Sequence, residues 1–256
     1  MSGPILLRKV ARCLLTLLLA VTFVFVVLRL SGDPVQRMLA DDVPAQVIES
    51  YRTMWGLDRP LPEQYLRYIS QVVQGDFGVS FRDDRPVAAI IAERIPATLN
   101  LGLLAFGITL LIGIPGGIVA AMNRGRLVDR VVMGFTILGH SLPNFFLGIL
   151  LILYFSMTLR LLPSSGIGTW QHMVMPAITL GTSFAGTVAR FTRTAMLEVL
   201  NQPYMRTARA KGLGRTARVW RHALPNAAIP IVTVIGLRLG ALVGGATVVE
   251  TVFGYP

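Results

Sequence analysis

Apolar residues along this chain fall into five long runs, separated by stretches where polar residues and turn formers gather. The first run, residues 13–28, follows Arg8, Lys9 and Arg12 and with its flanks can cross the roughly 30 Å hydrocarbon core of a bilayer. A signal peptide is the competing reading. The run exits through Arg29, Leu30, Ser31, Gly32 and Asp33 with no small-x-small cleavage site, so residues 1–30 read as an uncleaved helix. Runs over 98–122, 131–162, 173–193 and 229–249 predict four further crossings. Residues 131–162 are too long for one straight span, and Pro143 is expected to divide them into a lead-in and a crossing. Gly113 and Gly117 flank Pro115, a pattern that lets a helix pack closely and bend.

The stretch between the first two runs, residues 31–95, is different. Ten Asp and Glu stand against seven Lys and Arg, and Pro and Gly recur as turn punctuation. Helical periods are expected over 43–55 and 63–73, the second with Tyr65, Tyr68, Ile69 and Val72 on one apolar stripe. Such a segment is enough for a small extracytoplasmic cap, and the remainder, 96–256, forms the core of an all-α polytopic membrane protein.

Composition agrees with that class. The chain has 256 residues, 53% apolar and 14% charged, too greasy for a soluble domain of its size. The net charge of +11 would suit a nucleic-acid partner, but the cations cluster in short loops beside apolar runs, where membrane orientation accounts for them. With the N-terminus in the cytoplasm and residue 256 outside, five crossings put 14 of the 24 cations on the inner face. A single cysteine, Cys13, offers neither a disulfide framework nor a zinc set.

The most basic segment is residues 204–225, within a loop expected to span 196–228. It holds Arg206, Arg209, Lys211, Arg215, Arg218 and Arg221. A helix over 202–211 would gather Tyr204, Met205 and Ala208 on one side and stop at Gly212, with Gly214 as a second break. A second helix over 216–224 would end before Pro225. Two readings stand level on composition: an amphipathic connector resting on anionic lipid, or a knob that a partner grips.

Other positions invite chemistry. Arg238, deep in the last run, costs a few kcal/mol if it faces lipid, so it should face the bundle interior or a watery path. There it would bind a cargo carboxylate, pair with Glu250, or meet a backbone carbonyl. Asn144, beside the Pro143 kink, is a second pathway candidate. Gly236, Gly240 and Gly244 line one helix face and predict a packing surface, a contact with another membrane subunit being one version. His140 and Ser141 do not make a hydrolase, because neighbours on a helix point about 100° apart. His140, His172 and His222 lie on different sides of the membrane in this topology and form no metal site. The chain contains no G-x-x-x-x-G-K-[ST], so it binds no ATP through such a loop.

Gly212, nine residues, then His222, Ala223, Leu224 and Pro225 resembles the EAA loop of ATP-binding-cassette importer permeases, which runs E-A-A, three residues, Gly, nine residues, I-x-L-P. Arg206, Thr207 and Ala208 stand at E-A-A, and His222 at the isoleucine. YMRTARAKGL resembles the variant of the dipeptide, oligopeptide, glutathione and nickel subfamily. So do GDP at 32–34, GLDRPL at 56–61, QGDFGVSF at 74–81, RPV at 85–87, SLPNFFLG at 141–148, LPSSG at 162–166, WQHMVMPAITLG at 170–181 and GGATVVETVF at 244–253. The resemblance implies a type I importer transmembrane domain with five of six helices present, the sixth following the equivalent of residue 256; without it the chain is not expected to support transport.

It also implies a bacterial inner-membrane location and a set of partners: a second permease, two ATPases that carry ATP and Mg, and an extracytoplasmic binding protein. The cargo would be a short peptide, with nickel or another small solute as the alternative within the family. In this frame Tyr204, Arg206, Thr207, Ala208, Arg209, Ala210, Lys211, Gly212, Leu213, His222, Leu224 and Pro225 form the ATPase-coupling element. Small Ala208, Ala210 and Gly212 would allow close approach, while Arg206, Arg209 and Lys211 would meet acidic groups. A free-standing channel or secondary transporter, the reading from a different class, predicts conduction without ATPase partners.

Overall fold

The computed structural model describes residues 3–30, 32, 35, 44–80 and 84–255, without the side chains of 3, 140, 242, 243 and 245. Parts of the expected GDP and QGDFGVSF motifs and the start of the helix expected at 43 lie outside the described residues. Every described element is helical apart from one isolated bridge between Val79 and Pro86. The chain forms two compact units, Met1–Ile91 and Ala92–Pro256.

In the first unit α1 (Gly3–Leu30) is apolar all round and almost wholly exposed, as a helix facing lipid is. α2 (Ala45–Trp55) ends at Gly56, whose φ of 67° needs a residue without Cβ strain. α3 (Leu61–Val73) carries the expected stripe, and it is used. Phe25 of α1 sits edge-on to Tyr65 at 5.3 Å between ring centroids and stacks on Tyr68 at 5.7 Å. The hydroxyls of Thr22 and Tyr65 are 2.7 Å apart. Gln64 is buried, and its Nε2 donates to the carbonyls of Leu57 and Arg59, pinning the turn before α3.

α4 (Val87–Met122) starts in the first unit and runs through the second. The helix expected over 98–122 begins earlier, at Val87, with Pro96 inside it, because Ala88, Ala89 and Ala92 favour helix and Pro86 precedes its first turn. α5 (Leu127–Ser141) and α6 (Asn144–Leu151) are divided at Leu142 and Pro143, as expected, with a bend of 98°. α6 runs on into a π-helical turn, Ile152–Thr158. Then come α7 (Gln171–Leu200), α8 (Pro203–Ala210), α9 (Arg215–Arg218), a second π turn (Val219–Ala223) and α10 (Leu224–Phe253).

By length and apolarity alone three helices among the described residues can cross a membrane, or four if α5 and α6 count as one broken span. The segment expected as a fourth crossing is α7, which falls short of that measure because Thr179, Thr182, Ser183, Thr187 and Thr192 punctuate it. α7 is instead the most enclosed helix, so its apolarity need not match that of a lipid-facing one. Two of its threonine hydroxyls return to backbone carbonyls: Thr179 to Met175 at 2.8 Å and Thr182 to Ile178 at 2.7 Å.

Glycines set how closely α7 is approached. A Cβ on Gly113 of α4 would lie 2.9 Å from Val188, and one on Gly117 only 2.5 Å from the Ala189 carbonyl. Reciprocally, Gly181 of α7 meets the Ala105 carbonyl at 2.8 Å and Gly186 meets that of Thr136 on α5 at 2.8 Å. The packing pattern expected of Gly113 and Gly117 is therefore realised against α7.

A buried ion pair holds α5 to α7. Arg193 donates Nε to Asp129 Oδ1 at 2.6 Å and Nη2 to Oδ2 at 2.7 Å, while the Gly125 amide donates to Oδ2 at 2.9 Å. At the opposite end of α10, Thr98 of α4 donates to Glu250 Oε1 at 2.6 Å. Beyond α10, burial and then the nearby Glu250 carboxylate hold the Tyr255 phenol above its usual pKa.

Asp129→Ala strands Arg193 and the Gly125 amide, and is expected to lower stability by about 2–4 kcal/mol. Asp129→Leu combined with Arg193→Met should recover most of the loss. Thermal unfolding of the detergent-solubilised protein checks this, and equal destabilisation by the single and double variants would contradict it.

Candidate functional site

α8 starts at Pro203, whose missing amide proton has no partner to lose in a first helical turn. It stops as expected at Gly212, with φ at 79°. The Leu213 amide donates to the Ala208 carbonyl at 3.2 Å and the Gly212 amide to that of Arg209 at 3.0 Å, a pairing that satisfies carbonyls otherwise left open at a helix end.

The helix is seated by its apolar face. Met205 is buried in a cluster with Ile118 and Ala121 at the end of α4, Met196 of α7, and Val219 and Ala223 of the second π turn. Ala208 is buried as well. Two expectations are corrected here. Tyr204 does not share this face: it follows Gln202 and Pro203 on the open side and is 42% exposed. Ala208 points into the protein, so it does not offer close approach to a partner. The outward surface is Tyr204, Arg206, Thr207, Arg209, Ala210, Lys211 and Gly212, while Leu213 and His222 are half-buried.

The helix expected to end before Pro225 instead continues through it. Leu224 and Pro225 are the first residues of α10, and the π turn just before them absorbs the proline: the Leu224 amide reaches back five residues to the Val219 carbonyl. The wider turn gives the pyrrolidine ring room, and Asn226 Nδ2 donates to the His222 carbonyl at 2.6 Å.

A second feature lies where α5 breaks into α6. A cavity of about 450 Å³ is lined by Ser141, Pro143, Asn144, Ser183, Thr187 and Arg238, among others. Asn144 and Arg238, two of the pathway candidates, thus line one space. Ser183 donates to Asn144 Oδ1 at 2.6 Å. Arg238 is half-buried and makes no hydrogen bond or ion pair among the described residues. Glu250 does not join them. Twelve residues along one helix separate it from Arg238 by about 18 Å, which rules out the pairing considered from sequence. Its carboxylate takes Thr98 instead.

Gly236, Gly240 and Gly244 pack against nothing among the described residues: all three are exposed, and a Cβ on any of them would meet no described atom within 4 Å. His172 Nδ1 is engaged locally with the Thr169 hydroxyl at 2.9 Å, and the His140 side chain lies outside the described residues. Among the described residues no group of acidic, His or Cys side chains could hold a metal ion. Sequence reasoning missed the Asp129–Arg193 pair, although a lone acid among Arg124, Arg126 and Arg130 was the available signal.

If the cavity is water-filled, then in a Cys13→Ser background Arg238→Cys and Asn144→Cys should react with a hydrophilic maleimide, whereas Ala185→Cys, buried beside Gly113, should not. Equal labelling at all three positions would contradict the packing described.

Comparison with known proteins follows the same lines. Residues 113–256 match the family profile described as binding-protein-dependent transport system inner membrane component, and residues 4–102 match the profile for the N-terminal part of such membrane components. Glutathione transport system permease protein GsiC of Escherichia coli strain K12 is 47% identical over 227 residues, covering 89% of this chain and 74% of that protein. The protein of the same name from Shigella flexneri serotype 5b gives the same identity and coverage. A crystal structure of an amino acid ABC transporter with histidines aligns with 64% of this chain and 75% of that one, at a TM-score of 0.48 and 18% identity. This chain belongs to the binding-protein-dependent transport system inner membrane components, and is a multi-pass membrane permease subunit, not an enzyme.

Proposed function

We propose that this permease passes a short peptide of the glutathione class across the bacterial inner membrane, working with a second permease, two ATPases and an extracytoplasmic binding protein. ATP and Mg reside on the ATPases. The N-terminus and the loop around α8 face the cytoplasm, and Gly254 lies on the outer side. The identity to glutathione permeases supports the cargo class.

One observation carries the coupling role: α8 is anchored through Met205 into the same apolar cluster that holds the ends of α4 and α7 and the start of α10. An ATPase pressing on the outward residues, Tyr204, Thr207, Ala210 and Lys211, therefore moves three long helices together, because packed elements shift as rigid bodies. The Arg238 and Asn144 cavity is the point on the pathway where that motion meets cargo. An unpaired guanidinium beside an amide suits a peptide carboxylate.

Reconstituted with its partners, the permease should take up labelled glutathione only with ATP. Gly212→Val, strained at a φ of 79°, and Lys211→Glu should each lower uptake by about tenfold or more while ATP hydrolysis persists and membrane insertion is normal. Unchanged uptake in both variants would overturn the coupling role. Equal uptake of glutathione and free nickel would overturn the cargo class.

A further inference from the structure

Four arginines of the basic loop border one space. Arg206 and Arg209 of α8 and Arg215 and Arg218 of α9 line one pocket of about 200 Å³, with Ala121 and Met122 at the end of α4 and Leu200 at the end of α7. None of the four forms a hydrogen bond or ion pair among the described residues. Arg218 Nε is shielded from solvent and has no acceptor. Four like charges on residues bordering one space repel each other, and a buried N–H without a partner is costly, so the pocket lacks a counter-anion among the described residues.

Its position and lining narrow the choice of anion. The pocket sits where the apolar helix α4 ends and where the apolar stretch Arg215–Ala241 begins, which is the level of lipid headgroups. Its lining combines four arginines with apolar Met122, Leu200, Met205 and Val219. Planar forks match phosphate oxygens in pairs, and the apolar wall suits the glycerol next to a phosphodiester better than a hydrated carboxylate.

We infer that this pocket is a phosphate site, filled by the headgroup of an anionic phospholipid that is held between the coupling helix and the membrane helices. It uses Arg206 and Arg209, the exposed α8 residues that share the pocket with α9, and leaves Tyr204, Thr207, Ala210 and Lys211 to the ATPase.

Native mass spectrometry of the detergent-solubilised full chain provides the test, with phosphatidylglycerol, phosphatidylcholine and inorganic phosphate as probes. Retention of phosphatidylglycerol is expected to exceed that of phosphatidylcholine by about tenfold. R218Q should abolish the difference. R209Q, at an exposed position on the same pocket, should reduce it and serves if R218Q does not fold. R221Q, which removes an equal charge outside the pocket, should leave it intact. Resistance to millimolar inorganic phosphate identifies the lipid as occupant, and displacement by it identifies free phosphate; both support the phosphate site. Equal retention of the two lipids with no phosphate bound, or the same loss in R221Q as in R209Q, overturns it. So does release of phosphatidylglycerol when the ATPase partner docks, which would assign the arginines to protein carboxylates. Loss of coupled uptake in Lys211→Glu with lipid retention unchanged would separate this site from the coupling surface.

Discussion

Everything in the second unit depends on how closely other helices can approach α7. In lipid there is no hydrophobic drive for one helix to leave its apolar surroundings for another, so association rests on van der Waals contact and hydrogen bonds. Gly113, Gly117, Gly181 and Gly186 supply that contact by removing the Cβ atoms that would hold the backbones apart. The same closeness lets Thr109 of α4 donate to the Gly181 carbonyl at 3.0 Å. A threonine-rich helix can then sit at the centre of a membrane protein without exposing its hydroxyls to hydrocarbon.

The two ends of this packing are fastened differently. Near the end of α7 the fastening is ionic, Asp129 with Arg193, and it draws the turn at Gly125 into the same node. At the far end of α10 it is a hydroxyl on a carboxylate, Thr98 with Glu250, which leaves a charge satisfied by a neutral donor. Between them lies the cavity at the α5 and α6 break, where Arg238 has no fixed partner among the described residues. The interior is thus tied at its ends and chemically open in its middle, a distribution suited to a passage whose walls must shift.

Much of the fold was legible because two strong signals act along single helices. Hydropathy marked the apolar runs, and Pro and Gly marked their breaks: Pro143 divides α5 from α6 and Gly212 ends α8, as expected. The stripe of Tyr65 and Tyr68 was readable for the same reason. What was not readable depends on contacts between helices. The glycines at 236, 240 and 244 and those at 113 and 117 have the same spacing, yet among the described residues only the second set is packed, since periodicity cannot say which face a neighbour covers. Local rules also misjudged Pro225, because a π turn is a tertiary accommodation with no sequence rule of its own. Of the candidate site, the loop and its stop at Gly212 were readable from sequence, while the inward face of Ala208, the separation of Glu250 from Arg238 and the Arg193 pairing were not.

The π turn ahead of Pro225 has a mechanical consequence. Because it keeps the chain helical across the proline, Arg215 to Phe253 forms a single rod of 39 residues, about 58 Å long. Arg238 lies about 35 Å along it from the loop end. A tilt of about 5° pivoting at the loop would sweep the arginine through about 3 Å, roughly the length of a hydrogen bond. A lever of that proportion turns a small push at one end into the making or breaking of a contact at the other.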